Sequence, residues 1–234
     1  MNYICIIITA ITIAIMLAVI FKLNPKSNKK LAKNEELNNI AKKFPENNEI
    51  CKSILKKLNN ETVTIEEDKD AKDCLYIAIT NKIIIAGTQD NFTRIQTIAH
   101  ECLHSVQDKR VQIANFIIAN ACILYYAVTI ILGVFNILPE NMEMPILTVY
   151  ILLGFFGFVI RAYLENDAMI KAKYLAKEYM EEKQICSIEE VEKLVYGFEQ
   201  INSNGIKGVN FSLILGVLIR TAILAGIFMI RWLL

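Results

Sequence analysis

Long apolar runs alternate with charged stretches along this chain, and the alternation is coarse. Residues 1–21, 113–160 and 208–234 together hold four charged side chains, Glu140, Glu143, Arg220 and Arg231, while the other 138 positions carry 45. Tyr3 to Phe21 is an unbroken run of apolar residues and threonines, long enough to cross roughly 30 Å of hydrocarbon as a helix. It is too long for a signal-peptide core and has no small-x-small cleavage site, so it reads as a retained anchor, followed by Lys22, Lys26, Lys29, Lys30 and Lys33. Ile113–Leu138 predicts a second span. The acidic turn from Pro139 to Pro145 leads into a short third span at Ile146–Ile160, and the two form a hairpin. Val209–Ile230 is the fourth span, interrupted by Arg220, which is expected to face the bundle interior or to mark a tilted span.

The intervening stretches carry their own periodicities. Leu37, Ile40, Ala41 and Phe44 fall at helical spacing among ten lysines and four glutamates between Lys22 and Asn60. That pattern fits a helix on an anionic membrane surface and equally a helix packed into a polar domain. Thr62–Glu66, Cys74–Thr80 and Ile83–Ala86 are β-branched runs that predict strands, the last two joined as a hairpin through Asn81-Lys82. Gly87-Thr-Gln-Asp90 supplies stop and N-cap chemistry for a helix from about Asn91 to Arg110, with Ile95, Ile98, Cys102 and Val106 on its apolar face. The strand Ile83–Ala86 is expected to be an edge along which an extended peptide aligns. The implied segments are 1–22 anchor, 23–60 basic helical juxtamembrane segment, 61–110 small sheet plus helix, 111–160 hairpin, 161–208 polar helices and 209–234 closing span.

Composition sharpens this picture. Apolar residues make up 54% and charged residues 21% of 234 positions, which excludes a disordered chain. A formal net charge of +1, with no basic stripe carrying aromatics, sets nucleic acid aside as a partner. The six scattered cysteines show no Cys-x-x-Cys spacing and read as idle thiols in a reducing compartment. Sixteen Lys/Arg lie between Lys22 and Arg110 and seven between Arg161 and Lys207, against none in the turn of the hairpin, so both polar stretches are expected in the cytoplasm.

The chemistry concentrates in Thr97-Ile-Ala-His100-Glu101-Cys-Leu-His104-Ser-Val-Gln107. Four residues on a helix advance about 6 Å and 400°, so His100 and His104 stack on one face where both imidazoles reach a single Zn2+ at about 2.0–2.1 Å. Glu101 sits one residue round, where a carboxylate serves as general base for the attacking water. The chain has two histidines and 18 glutamates, and the chance of this spacing arising at random is roughly one in a thousand. A catalytic zinc needs a third protein ligand, and with no histidine left it must be a carboxylate. Glu165, in Arg161-Ala-Tyr-Leu-Glu165-Asn-Asp167-Ala168, returns to the side of the histidines after two crossings, with Asp167 as the competing ligand. Asp167 is otherwise expected to accept from a histidine N–H, and Gln107 and Tyr163 to support the ligands from beside them, to meet substrate or its oxyanion, or to be ordinary packing or surface residues. The polar residues Arg94, Gln96, Gln107, Asp108, Lys109 and Arg110 flank the motif, which predicts a site at the membrane surface rather than inside a span.

Ile98-Ala-His-Glu-Cys-Leu-His-Ser-Val-Gln107 is similar to the A-x-H-E-x-G-H-x-x-Q motif of the YugP-like family of neutral zinc metallopeptidases of bacterial membranes, and Glu165-Asn-Asp-Ala168 to its E-F-D-A. The layout is similar over about residues 35–230. Leu103 stands where the motif has glycine, and an aspartate-histidine-tyrosine-aspartate-proline stretch expected near residues 65–75 is missing. The resemblance implies one catalytic zinc at His100, His104 and Glu165, Glu101 as base, and a bacterial plasma-membrane location. The expected molecule is mostly α, a multi-span helical membrane protein of about four spans with a small cytosolic zincin-like α+β domain, and it hydrolyses a peptide or protein substrate at the lipid bilayer. The alternative is a catalytically silent zinc-binding scaffold or sensor.

Overall fold

The computed structural model describes residues 2–22, 30–68, 70–71, 73–87 and 91–232. Lys26, Lys29 and the predicted N-cap at Asp90 lie outside the described residues. The elements are α1 (Asn2–Phe21), α2 (Glu35–Lys42), α3 (Asn47–Lys57), β1 (Thr64–Asp68), β2 (Leu75–Ile77), β3 (Lys82–Ala86), α4 (Arg94–Val106), α5 (Lys109–Val134), a 3₁₀ turn (Glu140–Met142), α6 (Glu143–Lys183) and α7 (Ile188–Arg231). Helix dominates. Among the described residues four helices, α1, α5, α6 and α7, are long and apolar enough to cross a membrane. The chain forms two compact units, an apolar one (1–23, 113–163 and 207–234) and a polar one (24–112 and 164–206).

Helix α6 corrects the expectation of a short third span followed by a separate helix. It runs unbroken for 41 residues, about 60 Å at 1.5 Å per residue. Pro145 falls in its first turn, where a missing N–H leaves nothing unpaired, and Arg161-Ala-Tyr-Leu164, between Ile160 and Glu165, contains no glycine, proline or capping residue. α7 is likewise one helix of 44 residues. Its start is a reciprocal capping box: Ser187 N donates to Glu190 Oε2 at 3.1 Å and Glu190 N to Ser187 Oγ at 3.2 Å.

One polar cluster stands out in the apolar unit. Glu143 is fully buried and accepts from Arg231 Nη1 at 2.5 Å, from Trp232 Nε1 at 3.2 Å and from the Tyr3 hydroxyl. Arg231 also donates to Asn136 Oδ1 and the Leu138 carbonyl. Of the two expectations for Arg220, an inward-facing side chain or a tilted span, the first is not met. The residue is exposed on the unit's surface.

The polar unit is a three-stranded sheet with helices packed on it. The strand order is β1-β3-β2, with β1 parallel and β2 antiparallel to β3. β3 is therefore the central strand, and the expectation that it forms an edge is corrected. Its Ile83 and Ile85 are fully buried, whereas β1, Thr-Ile-Glu-Glu-Asp, guards its edge with charge. The hairpin between β2 and β3 is present, with Asn81 at φ 48° in the left-handed region that asparagine tolerates.

Leu37, Ile40, Ala41 and Phe44 of the α2 region are buried in the core of this unit, so the helix is packed within the polar domain and does not turn its apolar face to a membrane surface. Arg94, expected as a solvated flank, is 5% exposed. Its guanidinium donates to the carbonyls of Ala41, Phe44 and Pro45 and to Asn47 Oδ1 at 2.7–2.9 Å, which ties the start of α4 to the end of α2. Gln96 is buried as well, so two of the polar flanks used to place the motif at a surface are interior residues.

Candidate metal centre

The helix that carries the motif is held at both ends. Ile95, Ile98, Ala99 and Cys102 are fully buried against the core and fix its rotation, while Val106 is 43% exposed because the helix stops there. Thr93 occupies the N-cap without a side-chain cap bond. Near the C-terminal end, Asn60 Nδ2 donates to the Ser105 hydroxyl at 2.9 Å, and Gln112 donates to the His104 carbonyl. The Cys102 thiol lies 3.6 Å from that of Cys51 across the core, and all six cysteines are free thiols.

With this rotation, His100 and His104 leave the core on one face, their rings edge-to-face at 4.5 Å between centroids. The third group comes from α6. Glu165 belongs to a buried row continued by Ala168, Ala172 and Ala176, small residues that let α6 lie close to the core. That row was available in the sequence as a spacing of three, four and four.

His100 Nε2 and His104 Nε2 are 3.0 Å apart, and Glu165 Oε2 lies 3.4 Å from the first and 3.7 Å from the second. A tetrahedral ion with ligand bonds of about 2.0–2.1 Å spaces its ligands about 3.3 Å apart. The three separations bracket that value, and two imidazole nitrogens and a carboxylate are a donor set that zinc accepts. Among the described residues this is the group of His, Cys, Asp or Glu side chains disposed to hold a metal ion.

Glu101 stands beside the triangle. One carboxylate oxygen, Oε2, accepts from the backbone N–H of Tyr76 in β2 at 2.6 Å, and the other, Oε1, is 3.9 Å from His100 Nε2. Burial pushes its carboxyl above the ordinary range, against the lowering pull of the two histidines and of the Tyr76 N–H. For His104, burial acts to lower the pKa, but the facing Glu165 carboxylate, the Gln107 amide and the charge of Glu101 outweigh it and raise it.

The remaining expected residues fall as follows. Asp167 does not accept from a histidine directly: Gln107 Nε2 donates to its Oδ2 at 3.2 Å, and Lys171 Nζ is 2.6 Å from its Oδ1. Gln107 Oε1 is 2.8 Å from His104 Nδ1, which places Gln107 directly behind that imidazole, one of the places expected for it. Tyr163 is 62% exposed and belongs to the apolar unit, outside the unit that assembles these groups. The sequence reading missed Tyr76, whose contribution is a backbone N–H and leaves no signature in residue type. No family model, no curated protein and no solved structure matches the chain.

Proposed function

We propose that the protein is a membrane-bound zinc metallopeptidase of the zincin type, resembling the YugP-like family, with its active site on the cytoplasmic side. The observation that carries the proposal is the 3.0, 3.4 and 3.7 Å triangle of His100, His104 and Glu165 with the Glu101 carboxylate at its flank. Zinc bound by these three residues would supply a water whose pKa is brought to about 7 and a Lewis acid for the scissile carbonyl.

The chain's own residues do the rest. Glu101 Oε1 takes the proton of the attacking water and returns it to the leaving amine, while Oε2 remains tied to Tyr76 N. A buried carboxylate with a raised pKa is a stronger base than an exposed one, so it takes that proton more readily. Peptide alignment falls to β2 in place of the central β3. β2 pairs on one side with β3, and Tyr76 turns its N–H off the other side to Glu101, so a substrate strand laid along that outer edge runs past the base.

The test compares wild type with Glu101→Gln, both purified in detergent, by metal analysis and by turnover of a peptide library. The expected result is zinc in both and cleavage in wild type alone, down at least about 100-fold in the variant. Cleavage by Glu101→Gln at the wild-type rate overturns the mechanism. Zinc in a wild-type protein that cuts nothing would instead favour the silent scaffold.

A further inference from the structure

Three hydrogen-bond partners surround the amide of Gln107, and their chemistry determines which way round it sits. The Leu164 carbonyl at 2.8 Å and Asp167 Oδ2 at 3.2 Å can only accept, so the Nε2 amino group faces both. Oε1 is then the atom 2.8 Å from His104 Nδ1, and because an amide oxygen cannot donate, Nδ1 must carry the proton. A neutral imidazole protonated at Nδ1 keeps its lone pair on Nε2. That is the atom 3.0 Å from His100 Nε2 and 3.7 Å from Glu165 Oε2.

We infer that Gln107 is a positioning residue that locks His104 in the Nδ1–H tautomer and fixes Glu165 beside it, an assignment that rests on the metal-centre reading above. The second half follows from where its donors land. Leu164 is one residue before Glu165 and Asp167 two residues after it, so one amide brackets the third ligand while it orients the second. Lys171 holds the Asp167 carboxylate in place from the next turn of α6.

Gln107 reaches both helices because α4 ends immediately before it. Its backbone is extended, at φ −67° and ψ 158°, and its N–H closes onto the His104 carbonyl, which turns the side chain back over His104. The same glutamine inside a continuing helix would point along the helix surface, away from α6. Without the amide, His104 samples the Nε2–H form as well, which aims an N–H where a lone pair is required.

The chain's two histidines make the tautomer measurable. In a His100→Asn background, 15N NMR of the metal-free full-length protein in detergent reads His104 alone. At alkaline pH, where the imidazole is neutral, the expected result is the Nδ1–H form, kept by a further Gln107→Glu change, which retains an acceptor, and replaced by a mixture of both forms in Gln107→Met. With His100 intact, cobalt(II) titration of the chelator-stripped protein should give about 10- to 100-fold weaker binding for Gln107→Met. An Nε2–H form with Gln107 present overturns the assignment even if Gln107→Met fails to fold. So does Gln107→Met with unchanged tautomer and cobalt affinity. A wild-type chain that takes up no cobalt overturns the metal-centre reading instead, and the tautomer spectrum still decides on Gln107.

Discussion

Two groups of the site, Glu101 and His104, hold their protons more tightly in the metal-free fold than in the unfolded chain, and both act on stability in the same direction. A pKa raised by folding means that the native state binds more protons than the unfolded chain, so stability falls as pH rises through the interval. For Glu101 the fall begins above the ordinary carboxyl value of 4.5, and for His104 it continues past 6.5. Thermal unfolding of chelator-treated protein should therefore show its higher Tm near pH 5 and a lower one near pH 8. Added zinc should raise Tm most at the alkaline end, since the metal takes the place of the protons. A metal-free Tm that climbs from pH 5 to 8 would contradict these shifts. The histidine pair and its glutamate were legible at this scale because four-residue spacing on a helix fixes direction without tertiary information. The roles of Gln107 and Asp167 were not, because they depend on where α4 stops.

Among the elements, close approach decides what a helix can carry. Gly197 in α7 packs against the core of the polar unit: a Cβ there would lie 2.8 Å from Phe92 Cε2 and 2.9 Å from Leu37 Cδ1, with Phe92 itself stacked on Phe198. Gly197→Ala should destabilise by about 1–3 kcal/mol, a drop in Tm of several degrees. Gly208 of the same helix has nothing within 4 Å of a Cβ, and Gly208→Ala should leave Tm unchanged or raise it. Equal losses at both positions would mean that the packing around Gly197 yields freely. Strand existence was readable from β-branched runs at 62–66, 74–80 and 83–86. Strand order was not, because Ile83–Ala86 is apolar enough to be an edge above a core or a centre between neighbours, and only pairing with both β1 and β2 makes it the centre.

For the molecule as a whole, the charge census marks two regions that the structure also separates, and the few charges left in the apolar unit need an account. Glu143 and Arg231 form a buried pair joined by Tyr3 and Trp232, so one cluster links the start of α1, the hairpin and the end of α7. Glu143→Ala strands the Arg231 guanidinium and should destabilise the protein in detergent by about 3 kcal/mol or more. The double change Glu143→Met with Arg231→Met should recover most of that loss, whereas a single-variant stability equal to wild type would show that the pair contributes nothing. The sequence reading assigned Glu143 to an acidic turn, since its partner lies 88 residues further on.

Sequence alone determined whatever is set by local period and composition: the four apolar helices, the small sheet, and the His100–Glu101–His104 face. It also narrowed the carboxylate expected beside the histidines to those of one segment, because two predicted crossings return the chain to the same side. Tertiary structure brought Glu165, and not Asp167, to the two histidines, made β3 central, turned Arg94 into a buried tie and gave Gln107 its three partners. The physical reason is the range of the interactions. Helical spacing and hydrophobic runs act over a few residues and are written in order along the chain, whereas a hydrogen bond from Gln107 to Leu164 spans 57 positions and exists only once the core has packed.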